Sequence, residues 1–200
     1  MENIIKNTDV SGLKSLGNNN IIVNCVFLGD DIVIGNNCNI SDSIISSGAF
    51  ITDSYVEKSN IGKNCKVGPY THIRPDTNIM NNCKIGNFVE IKNSRIGDGT
   101  KISHLTYVGD AIIGSNVNLG CGVVFCNYNG ISKNVSIIGD NCFIGSNVNI
   151  IAPVKIEKDT YICAGTTVTN STGEGEFVIG RVKAENKPKY KYYLKNKKKS

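Results

Sequence analysis

Two outward-facing clusters in the sequence stand at spacings that suit chemistry. In VGPYTHIRPDTNI, His72 and Arg74 flank Ile73, and in NFVEIKNSRI, Glu90 and Lys92 flank Ile91. Neighbours on either side of a buried strand position point the same way, so all four project outward. The steps 72 to 90 and 74 to 92 are both 18 residues. A structural repeat of that length sets His72 beside Glu90 and Arg74 beside Lys92. Two cations about 5 Å apart repel by roughly 1 to 3 kcal/mol, depending on local dielectric. A phosphate in a cleft would relieve that repulsion, since Arg offers a planar fork and Lys a compact charge. Water and salt on an open charged face would screen it instead.

The second cluster is SHLTYVGD, residues 103–110, and it holds His104, one of two histidines in the chain. Imidazole exchanges a proton near neutral pH, which suits a general base, although a lone histidine also serves structurally. Around it stand Tyr107, Glu90 one repeat below, and the irregular stretch CNYNGISKNVSI one repeat above. A base candidate, a cationic pair and a loop thus converge, which favours catalysis.

The element that must position these groups is a six-residue repeat. Aliphatic residues recur as Ile61, Val67, Ile73, Ile79, Ile85, Ile91, and again as Ile138, Ile144, Ile150, Ile156, Ile162, Val168. A helix wants a period of 3.6 and a plain strand 2, so six means a short strand plus a turn. Asn and Gly fill the turns, as in Gly35-Asn36-Asn37, because both tolerate left-handed backbone. Three hexads close a triangular coil of 18 residues, and stacked coils sit about 4.8 Å apart. Cys38, Cys65, Cys83 and Cys142 share one hexad phase with Val89, Val117 and Val148, so these thiols are read as core residues. The spacing predicts a parallel β-helix of about eight coils. Between Phe125 and Ile138 the chain inserts roughly one extra hexad, the kind of excursion that builds a binding face in a solenoid.

Composition bounds the function. Two hundred residues, 40% hydrophobic, are enough for one domain with a real core. No apolar run approaches the length of a membrane span, and MENIIKNTDV is not a secretion signal, so the expected address is the cytoplasm. Eight cysteines without a CxxC pair make neither a disulfide framework nor a familiar zinc site. Residues 181–200 carry a net +8 and residues 1–180 a net −3. Such a tail could touch an anionic partner, but a solvated terminus is the simpler reading and no nucleic acid is expected. Residues 1–20 are read as a lead-in, 21–170 as the β-helix, and 171–200 as a C-terminal segment with the basic tail.

VGPYTHIRPDTNI, IGNFVEIKNSRIGDGTKISHLTYVGDA, IGSNVNLGCGVVFCNYNG, IIGDNCFIGSNVNIIAPV and CAGTTV closely resemble one enzyme domain. It is the C-terminal acetyltransferase domain of the bifunctional N-acetylglucosamine-1-phosphate uridyltransferase/glucosamine-1-phosphate acetyltransferase family. The resemblance is firm from about residue 60 to 182 and weaker from 20 to 60. It implies a left-handed β-helix that forms a homotrimer with active sites between subunits, and transfer of acetyl from acetyl-CoA to the amine of glucosamine 1-phosphate. The product would feed UDP-N-acetylglucosamine and cell-envelope synthesis. Carried over by residue, Arg74 and Lys92 would hold the sugar phosphate, and His104 would accept the proton. Tyr107 and Asn118 would contact the amino sugar, with Glu90 orienting sugar or base. Asn127, Tyr128, Ser146, Ala164 and Arg181 would form the acetyl-CoA site, joined by Cys121, and the oxyanion that develops in such a transfer would find a candidate donor in a backbone N–H near Cys121. No metal and no covalent acetyl-enzyme is implied.

The sequence departs from the family at Cys121, where alanine is usual, and at Val135, where relatives carry a second lysine after Lys133. It contains no Gly-rich nucleotide loop ahead of the β-helix, so the chain is expected not to make UDP-N-acetylglucosamine from UTP alone, and a separate uridyltransferase is an expected partner. The competing readings are a non-catalytic trimeric scaffold or sugar-phosphate-binding module, and an acetyltransferase for another amino sugar phosphate.

Overall fold

A computed structural model describes residues 2–186 and residue 188. The tail lysines and tyrosines beyond them, Tyr190, Tyr192 and Tyr193 included, lie outside the described residues. The described chain is built from strands of two to four residues and no helix, so none is long and apolar enough to cross a membrane. The strands join three parallel sheets of ten, ten and eight strands that form the sides of a prism.

Each inner coil contributes one strand to each side, the third side lacking one at either end, and the register repeats the hexad. Ile73 pairs with Ile91, Ile85 with Ile102 and Ile79 with Ile96, each stacked on the residue one coil away. These six aliphatics are at most 2% exposed. Burial of each such side chain contributes about 1.5–3 kcal/mol, and the three columns together fill the interior.

The coil count corrects the sequence expectation: two sheets hold ten strands, not eight. The extra strands lie at the ends. Ile4–Lys6 pairs with Ile21–Val23, and Ser15–Leu16 with Val33–Ile34, inside the stretch read as a lead-in. At the other end Phe177–Val178 adds to Tyr161–Ile162. Their hexads are masked by polar intervals such as Asn170–Glu176, yet the backbone still finds its ladder partners.

Sharp corners depend on left-handed residues. Asn19, Asn37 and Asp53 stack at one corner with φ of 61°, 54° and 46°. Their side chains hydrogen-bond in a ladder, with both links 2.8 Å long. Asn and Asp accept this backbone at least cost because short polar side chains bond locally. Cys38, Cys65, Cys83 and Cys142 are buried and free, as the hexad phase predicts. Burial pushes the Cys38 thiol up to about 11.

Candidate functional site

One side of the prism carries most of the polar cluster. His72 pairs with Glu90, as the 18-residue interval predicts, while in the next coil, one residue shorter, Glu90 pairs with Tyr107 and Lys92 with Gly109. Arg74 extends the ladder, its backbone N–H donating to the Ile91 carbonyl at 2.8 Å.

The side chains do not form the bare cationic pair expected from the spacing. Arg74 Nη1 donates to Glu90 Oε1 at 2.7 Å, so the guanidinium is held by a carboxylate on the next coil. Glu90 therefore reaches Arg74 rather than His104, and among the described residues no hydrogen bond joins Glu90 to either the imidazole or Tyr107. The same contact holds the Arg74 guanidinium above its ordinary range. His72 turns the other way, its Nε2 lying 3.2 Å from Glu57 Oε2. A flexible arginine finds the nearest carboxylate, and this interaction wins over proximity to Lys92.

Lys92 instead faces the inserted loop. The Lys133 ammonium beside it, and then desolvation, hold the Lys92 ammonium below the usual lysine range, with Asp110 opposing. The loop is the long coil of the solenoid: Phe125 stacks on Ile150, 25 residues on. Asn129 Oδ1 accepts from the N–H groups of Ile131 and Ser132 at 2.9 and 2.8 Å, which folds the tip. Tyr128 and Lys133 form an antiparallel bridge across it, and the Tyr128 hydroxyl donates to the Gly130 carbonyl at 2.7 Å.

The loop's base is fixed on the same side of the prism. Asn127 is buried, and its amide donates to Asp110 Oδ2 and, at 3.5 Å, to the Tyr107 hydroxyl. Gly109 makes this approach possible. A Cβ there would collide with the Tyr107 hydroxyl and stand 2.6 Å from the Asn127 amide nitrogen. Arg74, Glu90, Lys92, Tyr107 and Asn127 are thus gathered on one side.

His104 lies around a corner from them. It ends the strand Lys101–His104 on the neighbouring side, and Leu105 and Thr106 make the turn to Tyr107. The Thr106 hydroxyl donates to the His104 carbonyl at 2.7 Å and steadies that turn. Asn87, Phe88, His104, Leu105 and Cys121 line an open pocket there. Above it the corner continues through Ser146 and Ala164. The Asn147 N–H donates to the Cys121 carbonyl and the Gly165 N–H to that of Ser146, both at 2.8 Å. Arg181 Nη1 donates to the Ala164 carbonyl at 2.9 Å, closing the column. Asn118 belongs to the side of His104, paired with Lys101 and Phe143, and no hydrogen bond ties it to Tyr107 among the described residues.

Two features escaped the sequence reading. Asp110 is a 5%-exposed carboxylate at the junction of coil and loop. It continues the left-handed corner of Asp76 and Asn93 at intervals of 17, a period that marks a turn residue and says nothing of its burial. The other is the corner beside His104. Where other coils place Asn, Asp or Gly, Tyr70, Phe88 and Leu105 hold φ of 58°, 57° and 45°. Each is about 60% exposed, and the Tyr70 and Phe88 rings stack at 5.5 Å. Large residues in left-handed backbone cost about 1–2 kcal/mol apiece, so this corner is strained and apolar at once. The hexad phase held the signal, since these positions align with Asn37 and Asp53.

Among the described residues no group of three or more His, Cys, Asp or Glu is placed to hold a metal ion.

Comparison with known proteins agrees with this architecture. Residues 58–93 and 136–170 match the bacterial transferase hexapeptide (six repeats) family. The chain is 47% identical over 173 residues to the bifunctional protein GlmU of Clostridium kluyveri, an alignment covering 84% of this chain and 38% of that protein. It is 50% identical over 150 residues to the bifunctional protein GlmU of Clostridium novyi, covering 75% and 33% respectively. Among solved structures, a mutant GDP-perosamine N-acetyltransferase of Caulobacter crescentus, in complex with CoA and GDP-perosamine, aligns with a TM-score of 0.51 at 21% identity. That match covers 60% of this chain and 57% of the other, and it supports the fold. The chain is therefore a hexapeptide-repeat parallel β-helix, similar over most of its length to a little over a third of the GlmU proteins.

Proposed function

We propose that this chain transfers acetyl from acetyl-CoA to the amine of glucosamine 1-phosphate, giving N-acetylglucosamine 1-phosphate. The observation that carries the reading is the gathering of Arg74, Lys92, Tyr107 and Asn127 on one side of a solenoid so similar to GlmU. Arg74, oriented by Glu90, and Lys92 bind the sugar phosphate, and Tyr107 and Asn118 hold the sugar.

His104 takes a proton from the amine as its nitrogen attacks the thioester carbonyl. The C–N bond forms, the C–S bond breaks, and the proton passes to the departing CoA sulfur. The carbonyl oxygen gains charge during attack, and a backbone N–H at Cys121 is the donor assigned to it. Asn127, Tyr128, Ser146, Ala164 and Arg181 bind acetyl-CoA, with Arg181 near its phosphates. The reaction requires no metal.

The chain works as a homotrimer. Within one chain His104 ends a strand of the side next to that of Arg74 and Lys92, and a neighbouring copy brings base and phosphate site together. The exposed corner of Tyr70, Phe88 and Leu105 beside His104 supports the same reading, because a packed neighbour offsets the cost of its strain and exposure.

A free-thiol assay for CoA release tests this, with glucosamine 1-phosphate, acetyl-CoA, and the H104A and K92A variants. Acceptor-dependent release that collapses in both variants supports the reading. No release from a folded trimer would favour a sugar-phosphate-binding module, and release only with another amino sugar would change the acceptor.

A further inference from the structure

Among the described residues Asp110 is the one nearly buried carboxylate, it acts on the Lys92 ammonium, and no step of the proposed reaction uses it. Both of its oxygens are engaged. Oδ1 accepts from the Asn93 amide at 2.6 Å and Oδ2 from the Asn127 amide. Its backbone joins the same two regions. The Asp110 N–H donates to the Lys92 carbonyl at 3.1 Å, and the Ser136 N–H donates to the Asp110 carbonyl at 3.2 Å. One residue therefore ties the cation-bearing strand to both ends of the inserted loop.

From this geometry we infer that Asp110 is a positioning residue, which anchors the inserted loop through Asn127 and keeps Lys92 and Lys133 together as charged ammonium groups ready for one phosphate. The inference rests on the phosphorylated-acceptor reading above. Lys92 faces Lys133 from the loop, Arg74 from the coil below with its Glu90 partner, and Asp110 from the coil above. Of these, Asp110 supplies the attraction that offsets Lys133. Burial alone raises the Asp110 carboxyl, but the bonds from Asn93 and Asn127, then the fields of Lys92 and Lys133, outweigh it and hold it below the usual carboxylate range. It stays an anion throughout the working pH range.

Asp110→Asn separates this role from scaffolding. An asparagine there has one acceptor oxygen, so its own NH2 must face a second amide donor and one tie is lost. Its missing charge leaves Lys92 against Lys133 uncompensated. The measurement is calorimetric titration of glucosamine 1-phosphate from pH 7 to pH 10 with the parent chain, D110N, Asn93→Ala and Asp110→Glu. Binding by the parent weakens at alkaline pH as Lys92 loses its proton. In D110N that loss sets in at lower pH, so binding at the parent's midpoint is several-fold weaker. Asn93→Ala, which removes a hydrogen bond and no charge, keeps the parent profile. Asp110→Glu retains the charge on a longer stem and keeps the alkaline limit, which also covers a D110N that does not fold. Trypsin cleavage after Lys133 gives an independent reading and is several-fold faster in D110N than in the parent. A D110N profile that overlays the parent, or an Asp110→Glu profile displaced as far as D110N, overturns the inference. A parent chain that does not bind glucosamine 1-phosphate at all overturns the acceptor reading and this inference with it.

Discussion

Arg74 and Glu90, on adjacent coils and about 40% exposed each, are joined by a single 2.7 Å hydrogen bond between guanidinium and carboxylate. At that exposure the pair contributes little to folding, since surface ion pairs are worth about 0–1 kcal/mol. What it does is aim a guanidinium that would otherwise sample many rotamers. Glu90→Gln is expected to leave the unfolding midpoint within error while lowering kcat/KM about tenfold through misplaced phosphate. Steady-state kinetics with varied glucosamine 1-phosphate, beside denaturant unfolding, checks both halves.

His104 lies at an exposed strand end and holds no part of the core. Replacement by alanine is therefore expected to spare the fold and to reduce turnover by about 2 to 4 orders of magnitude. Unchanged turnover would reassign the base.

The Phe88 corner makes a prediction with two opposite signs. Phe88→Asn relieves left-handed strain and is expected to stabilise the isolated chain by about 1 kcal/mol. The same change strips an exposed apolar contact and weakens self-association. Light scattering over a dilution series and denaturant unfolding at low concentration would report the two effects separately. A variant that associates like the parent would remove this corner from the interface.

Cys38 links stability to alkaline pH. Its thiol titrates near 11 in the folded chain against the ordinary 9.0, with burial the leading cause. The unfolded chain thus loses this proton first as pH rises. The contribution is whole below about pH 9 and disappears between about 9 and 11. Denaturant unfolding at pH 8 and pH 10 should show the loss, and Cys38→Val should reduce its slope.

Much of this was legible in the residues. The hexad gave the prism, the cysteine phase gave buried thiols, and the 18-residue interval placed His72 against Glu90. Regular backbone geometry makes such columns additive, so spacing alone suffices there. Side-chain choice was not legible in the same way. Whether Arg74 answers Lys92 or Glu90 depends on rotamers and local charge, which no period encodes. The terminal coils were hidden for a different reason: their inward residues Ile5, Leu16 and Val178 are aliphatic and stack on Ile22, Ile34 and Ile162, but they stand at irregular intervals that break the six-residue period. The site residues came together only in part, because Arg74, Lys92 and Tyr107 share a side while His104 belongs to the next.

The 25-residue coil rejoins the stack with Ile150 directly over Phe125, in phase with every coil around it. The excursion consequently leaves no imprint on the prism above or below. Its tip can lengthen, shorten or change sequence while the structural frame stays constant, provided Asn127 and Ser136 keep their attachments to Asp110. The length of the excursion and the mechanical integrity of the stack are thereby set by separate parts of the chain, and selection can act on the first without endangering the second.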